Sequence, residues 1–318
     1  MSIHIRPFDH SPHDYHTAVS IENRVWPDYP TSVEEQRENL VAQGSHLFYQ
    51  RYMVEMHQQV VATGVVVEAN EPEFPGKFYL HLNVLPEFRG RGSAVAFYTH
   101  ALDVVEAHDG EMVQVNARED QTAALDFLAK RGFLVAMRHP VYQLDLRQFE
   151  PAAFEGALAA VRQQGIEICS VAELQRRDAD WERRIWELGE LEVMQDIPAV
   201  HPYAPKSFLS FRASFLHNPN FWPQAAFVAL DGRRYVGLSS LWVPLAQKDR
   251  LYTGLTGIVR SHRRRGIATA LNIHALMFAK QFGARVVETD VSNAVIDPIN
   301  AQLGFTAQPA WLDLVKSL

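Results

Sequence analysis

Cysteine is almost absent. Cys169 stands alone among 318 residues, so no internal disulfide can form, which suits a reducing compartment, and the lone thiol reads as buried packing. Long apolar runs are missing too: no window approaches about 18 uninterrupted apolar residues, and Met1 to Arg6 lacks the basic-then-apolar order of a leader. Neither membrane spanning nor secretion is expected, and a cytoplasmic location is. Positive charge is not in excess, since 30 Lys and Arg stand against 37 Asp and Glu for a formal net charge of -7. That removes the electrostatic reason to expect nucleic acid or an anionic membrane as partner, and any anion site must be local. No His/Cys cluster or His-Glu-x-x-His pattern calls for a metal. Neither a P-loop nor a Gly-x-Gly-x-x-Gly fingerprint is present, so the usual nucleotide cradles are disfavoured.

What remains is an ordinary globular balance, 47% hydrophobic and 21% charged. Within it the chain repeats itself. Arg89-Gly90-Arg91-Gly92-Ser93-Ala94 falls on Arg263-Arg264-Arg265-Gly266-Ile267-Ala268, 174 positions later. Upstream, Gly64 in a β-rich run falls on Gly237 at an offset of 173, and downstream Gly132-Phe133 falls on Gly304-Phe305 at 172. Three landmarks in one order at nearly one offset imply a duplicated domain. Phe154, Leu158 and Val161 suggest a connecting helix, and the boundary is placed near residue 165, giving copies at 1–164 and 165–318.

Each copy reads as helix, strand hairpin, strand, glycine turn, helix, strand, helix and final strand, a mixed α/β pattern. In the second copy Trp181, Ile185, Leu188 and Leu191 have helical spacing, and a helix from Ile267 to Phe282 should stop at Gly283. Strands are expected at 226–230, 235–242, 250–259 and 286–291 around an Asp231-Gly232 turn. A turn that opens a helix offers unpaired N–H groups and the positive end of the helix dipole, which can hold a pyrophosphate. Gly92 and Gly266 permit close approach, and Ala94 and Ala268 keep the space open.

Arg-x-x-Gly-x-Ala in a strand-to-helix turn resembles the acyl-CoA motif of the GNAT acetyltransferases. The second copy adds Thr256-Gly257-Ile258-Val259, Thr289-Asp290-Val291-Ser292-Asn293 and Ile299-Asn300-Ala301-Gln302-Leu303-Gly304-Phe305. Together the copies are similar to tandem GNAT proteins of the mycothiol-synthase kind. The resemblance implies an α/β fold of two tandem acyl-CoA N-acyltransferase domains with a mixed α+β sheet, the first degenerate and the second catalytic. It implies acetyl-CoA as donor, a small-molecule primary amine as acceptor, and a monomer whose two domains form a pseudo-dimer. The donor's pyrophosphate would lie on Arg263, Arg264, Arg265, Gly266, Ile267 and Ala268, and its pantetheine arm along Gly257, Ile258 and Val259, with Asn293 on the arm or capping a helix. The first-copy counterparts are Asn83, Val84 and Leu85 with Arg89, Gly90, Arg91, Gly92, Ser93 and Ala94.

Many relatives place a Tyr, as proton donor to the leaving thiolate, where this chain has Asn300 and, in the first copy, Leu128. Asn300 can orient water or stabilise charge; Leu128 can do neither. A base position in some relatives corresponds to Tyr252, against Phe78 in the first copy, and Tyr252 reads either as a proton relay or as strand packing. Glu288 and Asp290 share a strand face, either as a carboxylate pair that tunes a pKa or as a solvated rim. The first copy has Gln114 and Asn116 there. His262 reads as structural or phosphate-facing, His81 as packing. Glu190, Glu192 and Asp196 give an acidic cover suited to a cationic or polyhydroxylated amine. Two other classes stay open: a non-catalytic acyl-CoA sensor or scaffold, and an aminoacyl transferase.

Overall fold

The computed structural model describes residues 3–42, 47–69, 75–197, 203–290 and 297–318. In chain order the first elements are β1 (Ile3–Pro7), α1 (Pro12–Val25), α2 (Val33–Ala42), β2 (Tyr49–Met56), β3 (Gln59–Glu68), β4 (Lys77–Val84), α3 (Ser93–Glu106), β5 (Met112–Arg118), α4 (Thr122–Ala129) and β6 (Leu134–Asp145). There follow α5 (Glu155–Gln163), β7 (Ile166–Ser170), α6 (Val171–Arg177), α7 (Trp181–Trp186), α8 (Phe208–Phe211), β8 (Phe221–Asp231), β9 (Arg234–Trp242), β10 (Arg250–Ile258), α9 (Ile267–Phe282), β11 (Val286–Asp290), α10 (Asp297–Leu303) and β12 (Thr306–Ser317).

Helix ends follow local chemistry. Ser11 caps α1 by accepting from Asp14 N at 3.1 Å with Pro12 at the first helical position, and Ser170 with Glu173 forms a capping box on α6. Helix α9 spans the expected Ile267–Phe282 and ends at Gly283, whose φ of 92° is the left-handed conformation that glycine adopts without a Cβ penalty. The helical spacing at 181–191 is only partly α-helical: beyond Trp186 the segment Glu187–Val193 is a π-helix, and Arg212–Leu216 is a second one. Such π turns shift the side-chain period and occur often at functional sites.

Two compact units result, one of residues 1–138 with 311–318 and the other of residues 139–310. The repeat boundary near 165 lies inside the second unit, between α5 and β7, because each unit is finished by a strand from the other repeat. In the first unit, β5 pairs with β4 in parallel on one side and with β12 antiparallel on the other, from Trp311↔Arg118 to Ser317↔Met112. In the second, β11 pairs with β10 in parallel and with β6 antiparallel, from Asp290↔Val141 to Val286↔Asp145. The exchange closes a ladder edge that β5 and β11 would otherwise expose. Strand order is β1-β2-β3-β4-β5-β12 in the first unit and β6-β11-β10-β9-β8-β7 in the second.

Each unit has its own core. Phe97, Ala101 and Val105 of α3 pack on Phe78 and Leu80 of β4 with Leu312 and Leu314 of β12. Ile267, Ala270 and Leu271 of α9 pack on Val236, Leu238 and Ile258, joined by Val161, Leu188 and Val193. Cys169 is buried in that second core, and burial pushes its thiol pKa up to about 11, so it is inert packing.

Candidate active site

Strands β10 and β11 pair only from Arg250↔Val286 to Tyr252↔Glu288, and beyond that point they diverge. Strands β4 and β5 do the same after Tyr79↔Gln114. Each unit therefore has an opening between two parallel strands, and the glycine turn follows the first of them.

The turns share their backbone. Gly92 and Gly266 precede α3 and α9 with φ of 93° and 78°, and no side chain caps either helix, so the first-turn N–H groups have no partner of their own. Two residues earlier the first turn has Gly90 at φ 72° and the second has Arg264 at φ 61°, where a non-glycine residue carries about 1 kcal/mol of strain. In both, the leading arginine folds back: Arg89 Nε donates to Val84 O at 3.2 Å and Arg263 Nε to Ile258 O at 3.0 Å. Arg91 lies over the Phe88 ring, 5.3 Å from its centroid. The second turn is further braced by Gln164, which accepts from Arg265 Nε at 2.9 Å and donates to Arg265 O at 3.1 Å. Ile267 is buried, with Ala268 against the same core, while Ser93 at the position matching Ile267 is buried with its hydroxyl unpartnered.

The strands differ more than the turns. Pairing of β3 with β4 runs without interruption from Glu68↔Phe78 to Ala62↔Val84. Pairing of β9 with β10 shifts between Thr253↔Leu241 and Thr256↔Ser239, so Gly254 and Leu255 together oppose Ser240. This is a β-bulge in the strand that borders the opening, a device that re-aims backbone groups beside active sites. Beyond it Val259 N–H donates to Val236 O at 3.0 Å, as Leu85 N–H does to Val61 O. By strand alternation the N–H groups of Ile258 and Val84 face the open edge. Gly257 lets the π-helix approach: a Cβ there would lie 2.1 Å from Val193 Cγ1.

The polar candidates are distributed unevenly. Asn300 on α10 is 2% exposed and its Nδ2 has no hydrogen-bond partner, a buried donor that costs stability unless something outside the protein accepts from it. Tyr252 is half-buried opposite Trp242 and Glu288. Glu288 is buried and accepts from Arg250 at 2.9 Å and Gln143 Nε2 at 2.6 Å, whereas Asp290, at the end of β11, is exposed. Thr253 Oγ1 donates to Thr289 Oγ1 at 2.6 Å across the two strands where they part. His262 is structural, with Nδ1 at 2.9 Å from Ser261 Oγ and Nε2 at 3.1 Å from Asp231. His81 keeps an accessible edge but lies among enough protein that burial, with the Arg51 charge adding to it, holds its pKa below the ordinary imidazole value. Asn293 lies outside the described residues.

The three carboxylates of the acidic cover all have partners. Glu190 is buried and accepts from Tyr203 Oη and, at 2.8 Å, from Lys206 N–H. Glu192 pairs with Arg234 at 3.5 Å on the surface. Asp196 bridges Arg260 and Arg263, whose guanidinium groups hold its carboxyl down at about 2, so it ties the π-helical segment's end to the glycine turn.

Sequence reasoning missed three features. The bulge had a local signal, Gly254 inside a strand pattern. The Asp196 bridge had none, since it spans over 60 positions. Nor did Asp313, which β12 brings into the first unit, where it accepts from Asn116 Nδ2; the first unit thus has a carboxylate beside β5 that no local match reveals.

The acetyltransferase (GNAT) family model matches residues 14–133 and 183–305. Among curated proteins, N-alpha-acetyltransferase 30 of Schizosaccharomyces pombe is 36% identical over 95 residues, 29% of this chain and 61% of the relative's length. Among solved structures, a tandem GNAT protein from the clavulanic acid biosynthesis pathway superposes with a TM-score of 0.75 at 15% identity, covering 99% of this chain and 98% of that one. A GCN5-related N-acetyltransferase from Sphaerobacter thermophilus gives 0.71 at 18% identity, covering 99% and 95%. These likenesses establish the fold. Because the family model takes in both repeats, this chain belongs to the acetyltransferase (GNAT) family.

Proposed function

We propose that the second unit transfers acetyl from acetyl-CoA to a primary amine of a small molecule, and that the first repeat does not turn over. The observation that carries this reading is the bulge at Gly254 and Leu255, beside the opening between β10 and β11 and absent from β4. The name of the Schizosaccharomyces pombe relative, an N-alpha-acetyltransferase, supports an amine as acceptor.

The donor brings the activated thioester. The uncapped N–H groups from Arg264 to Ala268 hold its diphosphate, and the open-edge N–H of Ile258 pairs with its arm. The bulge turns a backbone N–H toward the thioester carbonyl, where it stabilises the oxygen's developing charge. The amine nitrogen bonds to the carbonyl carbon and the carbon–sulfur bond breaks, with its electron pair leaving on sulfur. Asn300 Nδ2 donates a hydrogen bond to that thiolate, which takes its proton from water, since an amide is no acid at neutral pH. Asp290, solvent-exposed at the end of β11, accepts the proton that the amine releases, through water. Glu288 holds Arg250 and Gln143 in place, and Tyr252 lines the same strand face.

With Glu190, Glu192 and Asp196 engaged, the acceptor's charge is not selected by a free acidic cover. We read the chain as a cytoplasmic monomer. Thiol release from acetyl-CoA over a panel of amines, beside calorimetric binding of acetyl-CoA, tests the proposal. Binding without release for any amine would favour a sensor or scaffold, and no binding would sink the assignment.

A further inference from the structure

We infer that the first unit's donor opening is closed by its own tryptophan, so that the chain takes up one acyl-CoA and holds a second site shut. In β4 the residues Phe78 and Leu80 face α3, so Tyr79, His81 and Asn83 face the other side, where α1 lies. Trp26, just past the end of α1, donates from Nε1 to Asn83 Oδ1 at 2.8 Å. Its ring also lies under the Arg118 guanidinium of β5, 6.0 Å away, and against Trp311 of β12, with centroids 5.1 Å apart. Asn83 and Arg118 stand on the two strands that have parted after Tyr79 and Gln114. The indole therefore bridges the mouth of the opening.

Its supports are fixed. Arg118 makes a two-pronged pair with Asp120 at 2.8 and 2.6 Å, and Tyr29 packs on both tryptophans at centroid distances of 6.5 and 6.4 Å. The second unit has Gly257 at the position matching Asn83, with no side chain to hold such a bar. Behind the bar the first unit keeps what a donor would need: left-handed Gly90 and Gly92, an uncapped α3, and Ser93, 1% exposed with its hydroxyl unpartnered in that turn. A turn kept in binding form beside an opening whose two strands are bridged by the indole is a closed site, not an eroded one.

Calorimetry with acetyl-CoA tests this. The wild-type chain should bind one equivalent, lost in Gly266→Glu. Trp26→Ala should bind two, the added one lost when Gly92→Glu is combined with it, and turnover in the second unit should be unchanged. Asn83→Ala, which removes only the hydrogen bond, should admit a weaker second equivalent and guards against misfolding of the larger change. The inference rests on the proposed donor chemistry, but the two fail separately: the equivalent lost in Gly266→Glu reports on the second unit, and the one gained in Trp26→Ala reports on the bar. Two equivalents in the wild type, or one in both Trp26→Ala and Asn83→Ala with circular dichroism intact, would overturn it.

Discussion

The two units share a turn and differ in a strand. In both, a left-handed glycine precedes an uncapped helix and an arginine folds back onto the strand before it. Only the second has a bulge in the strand that borders its opening, together with a buried unpartnered amide donor at Asn300 and, among the described residues, no indole bridging that opening; the first has β4 paired regularly with β3, Leu128 and Trp26. Holding a diphosphate needs mainly backbone N–H groups, whereas accelerating acyl transfer needs donors placed where charge develops, so one copy can lose the second capacity and keep the first.

Substitutions that make one unit like the other should therefore have graded effects. Deleting Gly254 to regularise β10 in the manner of β4 should lower kcat about 100- to 1,000-fold, the cost of one lost oxyanion donor, with little change in the acetyl-CoA dissociation constant. Equal losses of binding and turnover in steady-state assays would show that the bulge holds the strand and not the reaction. Asn300→Leu, which installs the residue of the first copy, should lower kcat about 10- to 100-fold, as expected for a hydrogen bond to a charged group. Unchanged kcat in that variant would remove Asn300 from the reaction.

Asp196→Asn should raise the KM for acetyl-CoA by only a few-fold, because Arg260 is largely and Arg263 partly solvent-exposed. The pH dependence has a definite sign. The Asp196 carboxyl sits at about 2, below its ordinary 3.8, so its contribution is complete above pH about 4 and fades as pH falls toward 2. Urea unfolding of wild type and Asp196→Asn across that window should converge at the acid end. The smallest effect is expected for Arg264→Gly, which gives the second turn the residue of the first: relief of the left-handed strain should stabilise the second unit by about 1 kcal/mol in the same measurement.

Much of this was legible in the sequence because it is local. The duplication, the glycine turns and the bounds of α9 follow from periodicity and from residues that fit few other backbones, Gly92, Gly266 and Gly283 among them. What escaped is set by distant pairing. The repeats were read correctly as copies, but nothing near Trp311 announces that β12 completes the first unit, or that Asp313 meets Asn116 across 197 positions. Likewise Asp196 looked like part of an acidic surface because its partners, Arg260 and Arg263, become neighbours only when the π-helical segment meets the turn.

The central claim is that turnover belongs to the second unit, and the same lesion placed in each turn tests it most directly. Thiol release at saturating acetyl-CoA and amine should survive Gly92→Glu almost intact and vanish in Gly266→Glu, where a carboxylate meets the diphosphate. Loss in Gly92→Glu with activity kept in Gly266→Glu, or equal loss in both with circular dichroism unchanged, would contradict it.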